Sequence, residues 1–171
     1  VAGRAACIIQ FLPGISLTHP SPGQCEAAGE ALGAMHRAVA DFAGERENSM
    51  GHRHWRCVAE ATGDLDAVIR GLQAIVDDEL AYLDTRWPTD LPTHVIHADL
   101  FPDNVLMLGD TVTGLIDFYF AASDFRAYDV AVTHASWTFS DDGAACDAER
   151  AQALMRGYAK AVALSEAEMA A

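Results

Sequence analysis

The stretch that most constrains how this chain can fold runs from His94 to Phe120, where single polar residues are set among apolar ones. Asp99 lies two positions after His97, and Asn104 lies five positions after Asp99. Asp117 follows thirteen positions later, between an isoleucine and a phenylalanine. Because apolar residues surround each of them, we expect strands and tight loops, rather than a solvated helix face, to present these side chains.

The segment between Asn104 and Asp117 contains two short apolar runs, residues 105–108 and 112–116. The runs are separated by Gly-Asp, which is a typical turn signal, so the segment predicts a β-hairpin. A hairpin that begins at the asparagine and ends at the aspartate brings these two residues close together in space.

Phosphoryl transfer from a nucleotide requires such a set of side chains. One carboxylate orients the attacking hydroxyl, a second holds the Mg²⁺ on the phosphates, and an asparagine oxygen completes the metal shell without adding charge. The pattern H-x-D-x-x-x-x-N, followed by an apolar residue and Asp-Phe, is that of kinase-fold enzymes. We therefore predict that Asp99 is catalytic and that Asn104 and Asp117 are Mg²⁺ ligands.

The segment His97–Val105, HADLFPDNV, resembles the catalytic loop of the aminoglycoside/choline phosphotransferase family, small-molecule kinases with a protein-kinase-like fold. Three further segments resemble the bacterial homoserine kinase branch of that family: Gly114–Phe120, Tyr128–Ala131 and Gln10–Gly14. Together they span most of residues 7–140. The implied fold class is α+β and mostly helical, a protein-kinase-like large lobe with a small catalytic β-hairpin.

The resemblance implies ATP-dependent phosphorylation of the hydroxyl of L-homoserine to O-phospho-L-homoserine, an intermediate toward threonine, with ATP and Mg²⁺ as cofactors. It also implies that Asp129 braces the catalytic loop. Residues 1–20 are expected to form the last small-lobe strand, over 5–12, and the inter-lobe hinge. The residues expected to contact the nucleotide are Gln10 and Leu12 in the hinge and Leu106 and Ile116 beneath the adenine.

Residues 121–126 are predicted to form a polar loop in which a substrate could lie. Asp124 and Arg126 are its only charges, and they could bind the ammonium and the carboxylate of an amino acid. An ion pair at the surface is the alternative explanation for each of them.

Periodic apolar residues predict a helical lobe over residues 21–171. The main helices are expected to begin near Ser21, Asp64, Asp129 and Asp142. We expect a shorter helix over residues 55–61 and frayed chain over 165–171.

The chain lacks a glycine-rich phosphate loop and a strand lysine that could pair with phosphates, parts that belong to the small lobe in kinase folds. We therefore expect an internal piece of a longer kinase, truncated at its helical end and inactive by itself.

Composition excludes several classes of partner. The net charge of −14, from 25 acidic and 11 basic residues, argues against nucleic acid and against an anionic membrane surface. The four cysteines are scattered, which is typical of reduced thiols, and no apolar run is long enough for a membrane span. We expect a cytoplasmic protein with a small-molecule substrate.

Two other functions stay open. Another kinase of the same family could act on an aminoglycoside, choline or a sugar, and a polycationic aminoglycoside would find acidic residues at Asp141, Asp142, Asp147 and Glu149. Alternatively, an inactive lobe could serve as an interaction module.

Overall fold

Helices form most of the regular structure in the computed structural model, which describes residues 3 and 9–170. The helices are α1 (Pro22–Ala38), α2 (His52–Thr62), α3 (Leu72–Arg86), α4 (Arg126–Thr138), α5 (Ala148–Ala161) and α6 (Glu166–Ala170). The strands are β1 (Thr93–Ile96), β2 (Val105–Leu108), β3 (Thr111–Leu115) and β4 (Ala122–Phe125). This content confirms the predicted α+β, mostly helical class. In the described part of the chain, no helix is long and apolar enough to cross a membrane.

Helix α1 begins with a capping box, as the serine and proline at its start predict. The Ser21 hydroxyl accepts a hydrogen bond from the Gln24 backbone N–H, and the Gln24 side chain accepts one from the Ser21 N–H. The helix ends at Ala38 rather than continuing to Phe42, whose side chain is exposed.

Close contact between α1 and α5 forms the centre of the hydrophobic core. A Cβ atom on Gly29 would lie 2.1 Å from the carbonyl oxygen of Leu154, and one on Gly157 would lie 1.8 Å from that of Glu26. Glycine at both positions therefore allows the two backbones to touch. Around this crossing lie the fully buried side chains of Cys25, Ala28, Leu32, Ala153, Leu154 and Tyr158.

Two antiparallel strand pairs carry the predicted site. Strands β2 and β3 form the expected hairpin, with Val105 opposite Leu115. Strand β4 pairs with β1, with Ala122 opposite Ile96. The prediction of a polar loop over residues 121–126 is therefore wrong. The backbone groups of β1 need hydrogen-bond partners, and the chain returning from Asp117 supplies them.

The predicted single helix from Asp64 is also wrong. The Asp64 side chain caps only a 3₁₀ turn over Leu65–Ala67, and α3 begins after Gly71, which has a φ of 89°. Val68 and Ile69 are 70% and 64% exposed. A continuous helix would therefore gain no stabilisation from burial of these two side chains. Glycine readily adopts the left-handed conformation that interrupts the helix.

The two ends of the described chain differ from the predictions as well. Residues 5–8 of the predicted strand lie outside the described residues, and residues 9–12 have no regular structure. Pro13 lacks a backbone N–H, so pairing starts only at Ile15, which bridges Met107. The segment expected to fray over 165–171 forms α6, because its buried Glu168 binds Arg126.

Helices α4 and α5 begin at other residues than predicted. Helix α4 starts at Arg126, three residues before Asp129. Helix α5 starts at Ala148, because the side chain of Asp147 caps the N–H groups of the first turn. Asp142 instead accepts hydrogen bonds within the preceding turn.

We predict that Gly157→Ala destabilises the protein, because the added Cβ overlaps the carbonyl of Glu26. Overpacking of this kind costs about 1–3 kcal/mol, whereas helix propensity alone would stabilise alanine by about 1 kcal/mol. Urea unfolding of the variant measures the sign. Gln152→Ala on the exposed face of α5 is the control. Stabilisation by Gly157→Ala would show that the two backbones are not in contact.

Candidate active site

The backbone before Asp99 is held by a single buried carboxylate, that of Asp129. One oxygen accepts the N–H of His97 and the other accepts the N–H of Ala98, both at 2.8 Å. Ala98 has a φ of 64°, a left-handed conformation that costs a residue with a Cβ on the order of 1–3 kcal/mol. Asp129 therefore compensates for strain in the loop, as the resemblance implied.

His36 and Tyr158 extend this support into the core. Nε2 of His36 donates to the Asp129 carboxylate at 2.8 Å, and Nδ1 lies 2.9 Å from the Tyr158 hydroxyl. All three side chains are buried, and burial raises the pKa of Tyr158. These contacts place His36 against Asp129, and they join residues that are far apart in the sequence.

His97 connects the loop that contains Asp99 to the loop that contains Asp117. Its Nε2 donates to the carbonyl of Ile116 at 3.0 Å, and the N–H of Ile116 donates to the carbonyl of Asn104 at 3.0 Å. The His97 ring also packs against Phe118, with ring centroids 4.6 Å apart. The loops that contain the three predicted site residues are therefore joined by hydrogen bonds.

Asn104 contacts Asp99 directly. Its Nδ2 donates to the Asp99 carbonyl at 2.7 Å and to the Asp99 carboxylate at 3.2 Å. A carbonyl oxygen can only accept, so this bond fixes the orientation of the amide. The amide oxygen then faces away from Asp99, and within residues 9–170 it accepts no hydrogen bond. It is available as a neutral ligand for a cation.

The proton affinity of Asp99 is higher than that of an ordinary aspartate. Burial raises the pKa of the carboxyl group, and the nearby charges of Asp117 and Asp103 raise it further. His97 and the hydrogen bond from Asn104 act in the opposite direction but do not cancel the shift. A carboxylate with a raised pKa is better suited to receive a proton from a hydroxyl.

Asp117 has a φ of 59° and a ψ of 57°, a left-handed conformation that is uncommon for a residue other than glycine. Its side chain is exposed, and its carboxylate accepts no hydrogen bond from the described residues. No cluster of three or more His, Cys, Asp or Glu side chains in this part of the chain could hold a metal. One carboxylate and one amide oxygen nevertheless fit Mg²⁺, which usually keeps several waters.

Two of the residues predicted to contact the nucleotide lie beside Gly114 of the hairpin: Leu106 on the paired strand and Leu12 from the segment before α1. Leu106 is the partner of Gly114, and a Cβ on Gly114 would lie 2.3 Å from Cδ1 of Leu12. Ile116 follows the hairpin and takes part in the loop contacts described above. Gln10 lies in the exposed irregular segment and makes no hydrogen bond to the described residues.

The structure places the two predicted substrate residues in different surroundings. Arg126 forms a bidentate pair with Glu168, with Nε–Oε1 and Nη2–Oε2 distances of 3.0 Å. Asp124 instead accepts the Nδ2–H of Asn48 at 2.7 Å and the N–H of Phe125 at 2.8 Å. Arg126 is therefore in an ion pair, but with a buried glutamate rather than at the surface, whereas Asp124 has only neutral partners among residues 9–170.

The acidic residues near α5 have local roles. Asp142 accepts hydrogen bonds from the hydroxyl of Ser140 and the N–H of Ala144, and these lower the pKa of its carboxyl group. Asp147 caps α5. Two of the four acids that an aminoglycoside could use thus stabilise the turn and the helix start.

The chain matches one family model and several curated relatives along its length. A family model described as "Phosphotransferase enzyme family" matches residues 1–164. The homoserine kinase of Zymomonas mobilis subsp. mobilis is 44% identical over an alignment of 173 positions, which covers 100% of this chain and 54% of the relative. That of Nitrobacter winogradskyi is 48% identical over 172 positions, 100% of this chain and 52% of the relative. The chain spans about half the length of the curated relatives it matches.

Solved structures share the fold. An aminoglycoside-3'-phosphotransferase of type VIII superposes with a TM-score of 0.67 at 26% identity, over 94% of this chain and 64% of that chain. An ethanolamine kinase from Plasmodium vivax gives a TM-score of 0.59 at 17% identity, over 94% and 51%. These similarities confirm the predicted protein-kinase-like architecture.

We predict that Asp129→Asn weakens both folding and catalysis. An asparagine supplies one acceptor oxygen where three donors converge, so buried N–H groups lose their partners, at a cost of about 2–4 kcal/mol. Urea unfolding and kcat of the complete gene product that carries this sequence measure the two effects. Asp110→Asn, an exposed carboxylate in the turn between β2 and β3, is the control. Unchanged stability would contradict the bracing role.

We predict that Glu168→Gln lowers stability by about 1–3 kcal/mol at neutral pH. Burial raises the pKa of Glu168, but hydrogen bonds from Ser165 and the charge of Arg126 outweigh it, so the pKa lies below 4.5. A depressed pKa contributes stability above the unfolded-chain value and loses it as pH falls through the folded value. The difference from wild type should therefore shrink in urea unfolding below pH 4.5.

The control for this prediction is Glu166→Gln, an exposed position on the same helix, which should show no such pH dependence. If the stability difference between Glu168→Gln and wild type does not decrease at acidic pH, the ion pair with Arg126 is not the source of the stability that Glu168 provides.

Proposed function

This chain belongs to the phosphotransferase enzyme family, and on that basis we propose that its protein phosphorylates the hydroxyl of L-homoserine with ATP, giving O-phospho-L-homoserine, an intermediate toward threonine. The observation that carries the choice of acceptor is the 44–48% identity to proteins named homoserine kinase, over the whole chain. The arrangement of Asp99, Asn104 and Asp117 supports the reaction class.

In the proposed reaction, Asp99 accepts a hydrogen bond from the acceptor hydroxyl and takes its proton as the new oxygen–phosphorus bond forms. The bond from the γ-phosphorus to the β–γ bridging oxygen breaks, and ADP leaves with that oxygen. The raised pKa of Asp99 favours this proton transfer. Asn104 keeps the carboxylate in place through its amide N–H.

Asn104 Oδ1 and the Asp117 carboxylate are the groups that we propose as ligands of Mg²⁺. When bound, Mg²⁺ supplies positive charge that neutralises the phosphate oxygens. The strained conformation of Asp117 supports a functional role, because such strain in a non-glycine residue is concentrated at functional sites.

For the nucleotide, we propose that Leu12, Leu106 and Ile116 provide the apolar surface for adenine, with Gln10 beside it. Residues 1–20 would act as the hinge and residues 21–171 as the catalytic lobe. The close packing of Leu12 on Gly114 supports this arrangement, because it ties the proposed hinge to the hairpin.

The aminoglycoside alternative is less favoured, because Asp142 and Asp147 are already engaged in local hydrogen bonds. The interaction-module alternative is less favoured because the loop of Asp99 is braced at a strained conformation, which a purely structural lobe does not require.

We predict that Asp99→Ala lowers kcat on L-homoserine by about 10³-fold, within the range expected for a general base, and leaves ATP binding nearly unchanged. Steady-state ADP release and ATP titration of the complete gene product measure the two quantities. Asp110→Asn, an exposed carboxylate in the turn between β2 and β3, is the matched control, and it should stay within about twofold of wild type. An Asp99→Ala enzyme with wild-type kcat would contradict the catalytic assignment.

The acceptor is tested in the same assay with L-homoserine, choline and kanamycin. Turnover on homoserine alone supports the proposal. Turnover only on choline or kanamycin would retain the reaction class and overturn the substrate.

A further inference from the structure

A cleft of about 660 Å³ lies between β4, the end of α3 and the segment 45–53. The segment is fixed along β4, since the carbonyl of Arg46 accepts the N–H of Ser123 at 2.7 Å and Glu47 bridges Ser123 in parallel. Ser123 follows the residue that pairs with Ile96, the last residue before the loop of Asp99. One end of the cleft therefore borders the strands that position the catalytic loop.

Arg46 places a positive charge at this end. Its Nη1 donates to the carbonyl of Tyr119 at 2.7 Å, and Tyr119 lies two residues after Asp117. Within residues 9–170, no carboxylate lies within 4 Å of the guanidinium. The bond to Tyr119 orients the Arg46 side chain and leaves its other N–H groups available for an anion.

Asp124 places a negative charge in the same cleft. Its carboxylate is held by Asn48 and by a backbone N–H, both neutral donors, and Asn48 is buried. No Lys, Arg or His among residues 9–170 lies within 4 Å of it. A Cβ on Gly51 would lie 3.1 Å from both Oδ2 of Asp124 and Nδ2 of Asn48, so glycine leaves room for this contact.

The other charged side chains of the cleft differ in one of two ways. Asp84 pairs with Arg56 and His52, so its charge is compensated. Glu47 also lines the cleft, and its Oε1 lies 3.3 Å from Nε2 of His54. Glu45 and Arg53 are exposed and form no side-chain hydrogen bond to the described residues, so no contact fixes their position. Arg46 and Asp124 alone combine a fixed side chain with a charge that no neighbour in this part of the chain compensates.

We propose that the cleft is the acceptor site, in which Arg46 binds the α-carboxylate and Asp124 binds the α-ammonium group of an amino-acid alcohol. One fixed cation and one fixed anion match the zwitterion, and Arg46 takes the role that the sequence suggested for Arg126. This inference rests on the proposed function. It adds the residues that select the acceptor.

The test uses two acceptors that each lack one charged group of homoserine. 3-Aminopropan-1-ol lacks the carboxylate, and 4-hydroxybutanoate lacks the ammonium. Arg46→Met should lower kcat/KM for homoserine about 50-fold and leave that for 3-aminopropan-1-ol unchanged. Asp124→Asn should lower kcat/KM for homoserine and for 3-aminopropan-1-ol by a similar factor and leave that for 4-hydroxybutanoate unchanged.

Arg53→Met and Glu45→Gln are the matched controls. They remove the same kinds of charge from the same cleft, at positions where no hydrogen bond to the described residues fixes the side chain. Both should keep the selectivity of wild type. Circular dichroism and Tm of each variant report folding, and Arg46→Lys should recover part of the homoserine activity. If Asp124→Asn does not fold, the Arg46 variants and the preference of wild type for homoserine over the two analogues decide the question.

Turnover of homoserine with unchanged selectivity in Arg46→Met overturns this inference and leaves the proposed function intact. No turnover of homoserine by the wild-type protein overturns both. An equal loss for all three acceptors in Arg46→Met also overturns it, since a general defect is not charge recognition.

Discussion

The buried carboxylate of Asp129 is the group on which the candidate site depends. It accepts three hydrogen bonds, two from the backbone before Asp99 and one from His36. Each donor is out of contact with water, so the loss of this acceptor would leave unpaired polar groups in the core. The strained conformation of Ala98 persists because this acceptor fixes the two consecutive peptide groups that precede its Cα, through the N–H groups of His97 and Ala98.

The hydrogen bonds of Asp129 also connect the hydrophobic core to the candidate active site. Helices α1 and α5 are in contact through glycines. At their interface, Tyr158 contacts His36, and His36 donates a hydrogen bond to Asp129. His97 then connects the brace to the loop of Asp117 through the carbonyl of Ile116. Core packing and the position of the Asp99 carboxylate, the proposed catalytic group, are thus coupled, so a substitution far from Asp99 can alter its orientation.

Local signals in the sequence predicted the elements that local interactions determine. The capping box at Ser21 and the turn between β2 and β3 are examples, since their partners lie a few residues away. Strand β4 and the Arg126–Glu168 pair depend on contacts between distant segments, which no periodicity reports. The contacts of Arg46 and of His36 were missed for the same reason. The break at Gly71 follows from the exposure of Val68 and Ile69, which the apolar pattern had predicted to be buried.

Direct identification of the product tests the central claim. The claim is that the site whose loop Asp129 holds, with Asp99 in it, transfers a phosphoryl group to an amino-acid hydroxyl. The measurement is ³¹P and ¹H NMR of the complete gene product incubated with Mg²⁺, ATP and L-homoserine. We expect a phosphate ester on the side-chain oxygen of homoserine, formed in equal amount with ADP. ADP with inorganic phosphate and unmodified homoserine would contradict the claim.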